Sequence, residues 1–363
     1  MTDDLVIAAG RTAYEHIRKN GLSPGDIRLV LGASGAAKWL VLSGLDTAIF
    51  SCWFRNRKDP LPVFGTSIGA WKFAAAARKD PVRAFDALRH AYIHQYYRGR
   101  VTPAQVTRES ERIMAAFLHQ ARVDEILDHP FVRISFSAVR CRHLLASRHR
   151  PAQVLGIAAG AALNRISRQL HRLYLERVVF HHPRFDPRAV DFSGFPTRCV
   201  PLGPHNFQQA LTASGAIPYV MEGVTDIAGA PRGMYRDGGM LDYHPAFALA
   251  SGQSGFILYP HFYPYIIPGW FDKTSPSRRE TGAVTDRMIL VAPSGRFVST
   301  LPFGRIPDRK DFARFLGADA TRVGAWEKAA DMSRMLGEAF LDITRTGRIQ
   351  DLVRPLTDLS GIR

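Results

Sequence analysis

Two rhythms of apolar and polar positions alternate along the chain. Residues 27–31 form a short apolar run, interrupted only by Arg28, which predicts a buried strand. Small residues follow over 32–38, and 39–50 then carries helical apolar spacing. The order repeats with an apolar run at 61–64, a glycine-flanked turn at 65–69 and an alanine-rich helix over 70–78. Strand, turn and helix twice in succession predict a parallel sheet with helical cover. Upstream, 4–19 reads as a helix closed by Asn20-Gly21. Downstream, 81–128 is helical and charged, an insertion over one end of the sheet bounded at about 81–130. Strands are expected at 131–139, 178–180, 197–200, 255–258 and 288–291, and helices at 155–177, 207–213 and 321–345. In 155–177 the residues Leu163, Ile166, Leu170 and Leu173 share a face, with Arg165, Arg168 and Arg172 elsewhere. With no internal repeat and no clean linker, the reading is one α/β domain over 1–363, a three-layer α/β/α architecture with a C-terminal helical segment at about 305–363.

The stretch 243–271 lacks Asp, Glu, Lys and Arg over 29 residues. It holds Pro245, Pro260, Pro264 and Pro268, which would break a spanning helix, so it reads as buried strand and loop. The acidic start, Thr2-Asp3-Asp4, lacks the basic region of a secretory signal. The expectation is a cytoplasmic protein, with peripheral contact to an anionic membrane surface as an option. A composition of 46% hydrophobic and 22% charged residues excludes disordered, collagenous and fibrous classes. Cys52, Cys141 and Cys199 are too few and too far apart for a disulfide framework or a zinc knuckle, which suits a reducing compartment. The net charge is +16, and arginine makes up 48 − 8 = 40 of the basic residues. That balance points either to an anionic partner or to a solvated basic surface. Between Arg133 and Arg188 lie 11 arginines and only two acids, Glu176 and Asp186. No nucleic-acid-binding motif surrounds them, which argues against that partner.

Three places carry candidate chemistry. Gly65-Thr66-Ser67-Ile68-Gly69 is a G-x-S-x-G between an apolar strand and a helix. A serine nucleophile needs such a tight turn, with small residues on both sides and helix amides ahead; the plain alternative is an ordinary βα turn. Gly32 to Lys38 lacks the spacing of a dinucleotide fingerprint or a P-loop. It suits an oxyanion hole or tight helix–sheet packing. Asp237-Gly238-Gly239 is either turn chemistry or the carboxylate that activates Ser67.

In their order these residues resemble the patatin-like phospholipase family. A small-residue loop, Ser34-Gly35-Ala36-Ala37-Lys38, precedes the G-x-S-x-G of Gly65 to Gly69. Ala213-Ser214-Gly215-Ala216-Ile217-Pro218 and then Asp237-Gly238-Gly239 follow, with Met240-Leu241-Asp242-Tyr243-His244-Pro245 after them. The resemblance spans 32–245 and implies lipid acyl-ester hydrolysis by a Ser67–Asp237 dyad through an acyl-enzyme, with no metal or organic cofactor. It implies that the backbone of Ser34, Gly35, Ala36 and Ala37 holds the oxyanion, that Gly65 and Gly69 shape the elbow, and that Lys38, Gly238 and Gly239 support the site. The loop departs from the family's G-G-G-x-[RK]-G. Donors survive a Gly-to-Ala change only where φ is negative, and Trp39 in place of the last glycine is expected to add bulk near the acyl site.

Two further readings stay open: a Ser-Asp-His esterase with His261 or His244 as third member, and a non-catalytic lipid- or protein-binding module on the same fold. His143, His181 and His182 are expected at the surface. Tyr263, Tyr265, Ile266, Ile267, Trp270 and Phe271 are expected to line an acyl pocket, to dip into an interface or to pack in the core.

Overall fold

The apolar runs assemble into one sheet. The structure is a computed structural model that describes residues 2–97, 99, 101–118 and 123–359. The predicted insertion and C-terminal segment therefore include positions 98, 100, 119–122 and 360–363 that lie outside the described residues. The strands are β1 (Leu5–Ala9), β2 (Ile27–Gly32), β3 (Leu61–Thr66), β4 (Val132–Cys141), β5 (Leu175–His181), β6 (Thr197–Pro201), β7 (Val224–Thr225), β8 (Met234–Asp237), β9 (Phe256–Pro260), β10 (Met288–Pro293) and β11 (Arg354–Pro355). Nine lie side by side in the order β11-β1-β10-β9-β2-β3-β4-β5-β6. Only β1/β10 and β4/β5 are antiparallel among these neighbours. The helices α1 (Arg11–Asn20), α2 (Ser43–Ala48), α3 (Ile68–Ala76), α4 (Pro81–Ile93), α5 (Pro103–Leu118), α6 (Val123–Leu127), α7 (Arg150–Ile166), α8 (Phe207–Ser214), α9 (Gly295–Thr300), α10 (Asp311–Arg314) and α11 (Asp319–Arg345) flank it in a three-layer α/β/α arrangement. Strands covered on both faces favour near-continuous apolar runs. Residues 27–31 and 61–64 follow this rule except at Arg28, which is exposed, whereas β4 departs from it: its sequence alternates, yet it buries Arg133, Ser135 and Ser137 along with its apolar residues.

Several expectations change. Residues 5–9 form an edge-side strand paired with β10 and β11, and the helix starts only after Gly10. The stretch 39–50 is broken, with a 3₁₀ turn at Ala36–Leu42, α2, and a π turn at Ile49–Trp53. The helix of 155–177 ends at Ile166, Ser167 caps a 3₁₀ turn, and β5 follows. The four leucine and isoleucine positions therefore do not act as one face: Leu163 is half-buried against a small core cluster, while Ile166 and Leu173 are exposed. His181 and His182 are buried where surface positions were expected, because they end a strand in the sheet interior. Part of the arginine-rich segment is also absorbed by the fold: Arg133 and Arg177 are buried, and Arg177 grips Asp242 with two hydrogen bonds of 2.8 and 2.7 Å. All three cysteines are free. Among the described residues no helix is long and apolar enough to cross a membrane.

Candidate active site

At the end of β3 the chain reverses into α3 at Ser67, whose φ of 55° and ψ of −126° lie where side-chain-bearing residues are strained. Such a conformation costs of order 1–3 kcal/mol and persists only where the surroundings enforce it. Here the enforcement is visible. The Ser67 amide donates to Ser214 Oγ at 3.0 Å, and that hydroxyl donates to the Ser137 carbonyl at 2.8 Å. A Cβ at Gly65 would overlap the Gly69 backbone, and one at Gly69 would overlap the Gly32 carbonyl. The elbow thus needs glycine on both sides for close approach. Ser67 caps α3, so its hydroxyl stands at the positive end of nine aligned peptide units.

Sheet topology explains how Asp237 arrives. β3 pairs with β4 as far as Thr66 opposite Ser137. β8 then takes over the pairing, with Asp237 opposite Ala138. The residue after Thr66 and the last residue of β8 therefore meet at one point along β4. The Ala216 carbonyl fixes the position by accepting the Asp237 amide at 3.0 Å. The segment Ala213 to Pro218 straps the two catalytic candidates together, Ser214 holding one and Ala216 the other. Asp237 is 7% exposed and Ser67 8%. Burial pushes the Asp237 carboxyl up to about 6, against hydrogen bonds from the Ser67 hydroxyl and the Gly239 amide and the charges of Lys273 and Arg309. The Gly239 amide lies 2.6 Å from Asp237 Oδ1. A carboxylate so placed, within reach of a serine hydroxyl and ionised only above about pH 6, has the properties of a general base.

Neither candidate third member joins the pair. His261 Nδ1 interacts with the Tyr263 backbone, and His244 Nδ1 accepts the Ile267 amide at 2.9 Å. Both rings are fully buried, and neither lines the cavity that Ser67 and Asp237 share.

The loop before α2 divides its roles differently from the expectation. The Ser34 amide donates to the Tyr243 carbonyl at 2.8 Å, and its hydroxyl bonds Thr66 Oγ1 at 2.8 Å, so Ser34 braces the loop and offers no amide to a ligand. Ala37 is buried in the core. Gly35 and Ala36 line the cavity, and among the described residues nothing accepts their amides. Ala36 has a φ of 53°, so the alanine keeps a glycine-like orientation at the cost of strain. Trp39 is swung away from the site: it is buried, stacks near Phe85 and donates to Asp46 Oδ2 at 2.9 Å. Asp46 also pairs with buried Lys72 at 2.8 Å. Lys38 turns its amine to Asp308 at the cavity rim. Gly238 sits directly on the Ser137 carbonyl and Gly239 against Ser34 Oγ, where neither would accept a side chain.

Ser67 stands at the junction of two chambers. The first, of about 290 Å³, holds Ser67, Asp237, Gly35 and Ala36. Its wall carries Lys38, Lys273, Arg309 and Lys310 against the acids Asp237 and Asp308. Partial desolvation and the charges of Lys38 and Arg309 push the Lys273 amine below the usual lysine range, and its exposed side chain moderates the effect. The second, of about 440 Å³, is lined mainly by apolar side chains, among them Trp71, Val106, Ile113, Val220, Met221 and Phe312. Its walls come from α3, α5 and α10, so the helical insertion forms a compartment and does more than cover the sheet. Tyr263, Tyr265, Ile267 and Trp270 line the first chamber; Ile266 is core, and Phe271 packs on His171. Sequence reasoning missed the residues of the second chamber and the cluster 308–310, because only the fold brings them to Ser67. No family model and no curated protein matches the chain.

Proposed function

We propose that this chain is a serine hydrolase of lipid acyl esters, as its resemblance to patatin-like phospholipases implies. The observation that carries the proposal is the strained Ser67, in hydrogen-bonding reach of Asp237, at the meeting point of a cationic and an apolar chamber. In this reading the acyl chain lies in the apolar chamber and the rest of the ester in the cationic one. Arginine and lysine at 309, 310, 38 and 273 suit an anionic head group. Ser67 Oγ attacks the ester carbonyl carbon while Asp237 takes its proton. The amides of Gly35 and Ala36 stabilise the oxyanion. Collapse expels the alcohol, which leaves with the proton from Asp237. Water then attacks the acyl-serine with Asp237 as base, and the tetrahedral adduct releases the acid and restores Ser67.

Chain-length dependence tests the assignment of the chambers. Val106 is half-buried on the wall of the apolar chamber, so Val106→Trp fills space without touching the dyad. The variant is expected to lose about tenfold or more in kcat/KM for octanoyl and longer p-nitrophenyl esters, since each misplaced methylene costs about 1–3 kcal/mol, while acetyl ester turnover stays within about twofold because an acetyl group does not reach Val106. An unchanged chain-length profile would place the acyl group elsewhere.

A further inference from the structure

We propose that the outer face of α7, with the arginines at its ends, docks on an anionic lipid surface beside the mouth of the Ser67 cavity. Ordinary surface helices bury apolar residues and expose polar ones. α7 follows this only at Ile157 and Leu163, which pack half-buried on a small core cluster, and otherwise does the reverse. Its buried positions are Gln153, Gly156, Gly160 and Asn164. Gln153 and Asn164 tie the helix down through polar contacts: the Tyr219 amide donates to Gln153 Oε1 at 2.7 Å, and Asn164 Nδ2 donates to Asp272 Oδ1 at 2.9 Å. The outward arc, roughly 160° wide at 100° per residue, carries Val154, Leu155 and Ile166 with four alanines between them. These three are 49, 61 and 76% exposed, and Leu144 and Leu173 next to the helix ends are 44 and 55% exposed. A contiguous exposed apolar strip of this kind marks an interaction surface.

The charge around the strip selects the partner. From Arg142 to Leu175 the chain has six arginines and no Asp or Glu. Arg148 and Arg150 stand at one end of the helix and Arg165 and Arg172 at the other, and none of the four forms an ion pair among the described residues. Arg150 lies over the half-exposed Tyr219 ring at 4.2 Å, an aromatic suited to the head-group level. An apolar strip bounded by arginines fits acyl chains below and phosphates at the rim. The same arginines oppose a second copy of this chain on that face. Position adds the last element. Tyr219 follows Pro218, and Asp272 lies between Trp270 and Lys273; Pro218, Trp270 and Lys273 all line the Ser67 chamber. The helix is tied to the cavity rim at both ends. Delivery of esters to Ser67 from the bound surface rests on the hydrolase reading; the docking itself does not.

The test is co-sedimentation with vesicles of phosphatidylglycerol and phosphatidylcholine in equal parts, against pure phosphatidylcholine. The full chain is expected to partition at least tenfold more strongly onto the anionic vesicles, and to be released by high salt. Leu155→Glu/Ile166→Glu and Arg165→Glu/Arg172→Glu are each expected to lose that binding at least tenfold. Both should keep the thermal midpoint and the turnover of a soluble acetyl ester within about twofold. The proposal is overturned if the full chain stays in the supernatant, or if both variants sediment as it does. It is also overturned if size-exclusion chromatography shows a dimer that Leu155→Glu/Ile166→Glu splits. Vesicle binding that follows the expected pattern without turnover of any soluble ester upholds the docking and removes the hydrolase reading.

Discussion

Ser67→Ala is expected to lower kcat for a short p-nitrophenyl ester by at least about 10⁴-fold, because without the hydroxyl only the oxyanion amides and the cavity remain to assist water. The fold should survive, since the Ser67 side chain fills little space and its amide, held by Ser214, is untouched. The strain at φ 55° also remains in alanine. Ser67→Gly relieves it and is expected to stabilise the protein by about 1 kcal/mol while losing activity equally. Steady-state kinetics beside thermal unfolding separates the two effects. Activity within tenfold of the native chain in either variant would remove Ser67 as nucleophile.

Asp237→Asn is expected to cost about 10³–10⁴-fold, because an amide cannot take the serine proton. In the native chain kcat/KM should rise with pH through about 6, where Asp237 ionises, and this limb should vanish in the variant. Stability moves the other way. The carboxyl holds its proton more tightly folded than unfolded, because its value is raised from 3.8 to about 6. Its contribution is therefore fully present below about pH 4 and is lost as pH rises through about 6. Asparagine carries no such penalty, so the variant is expected to be about 1–3 kcal/mol more stable at pH 8 and no more stable at pH 4. A variant that is less stable at pH 8, with an unchanged pH profile, would contradict the placement of Asp237 as a desolvated base.

The legible parts of the molecule are those set by local demands. Short, largely apolar runs announce β2 and β3, and Gly65 and Gly69 announce an elbow because no side chain fits where the turn meets Gly32 and Gly69. The first strand reads as helix in the sequence, since Leu5–Ala9 is short and flows into an amphipathic α1; only its pairing with β10 decides the matter. Asp237 was recognisable as a candidate, but its approach to Ser67 depends on β8 replacing β3 along β4, a register that sequence spacing does not encode. Ser34 and Ala37 looked like oxyanion donors until the Tyr243 carbonyl and the core claimed them. Trp39 looked obstructive, yet Asp46 gives its indole a buried partner away from the cavity. The apolar spacing of 155–177 runs past the true end of α7, because Ser167 caps a 3₁₀ turn and Leu175 enters β5 without a break in the pattern.

The most direct measurement is covalent capture. The native chain is incubated with fluorophosphonate probes of several sizes, and the adduct is mapped by peptide mass spectrometry. The account predicts one adduct, on Ser67, absent in Ser67→Ala and formed at least about 100-fold more slowly in Asp237→Asn, where the base is missing. Folded protein that takes up no probe, or takes it up on another residue at an undiminished rate in both variants, would contradict it.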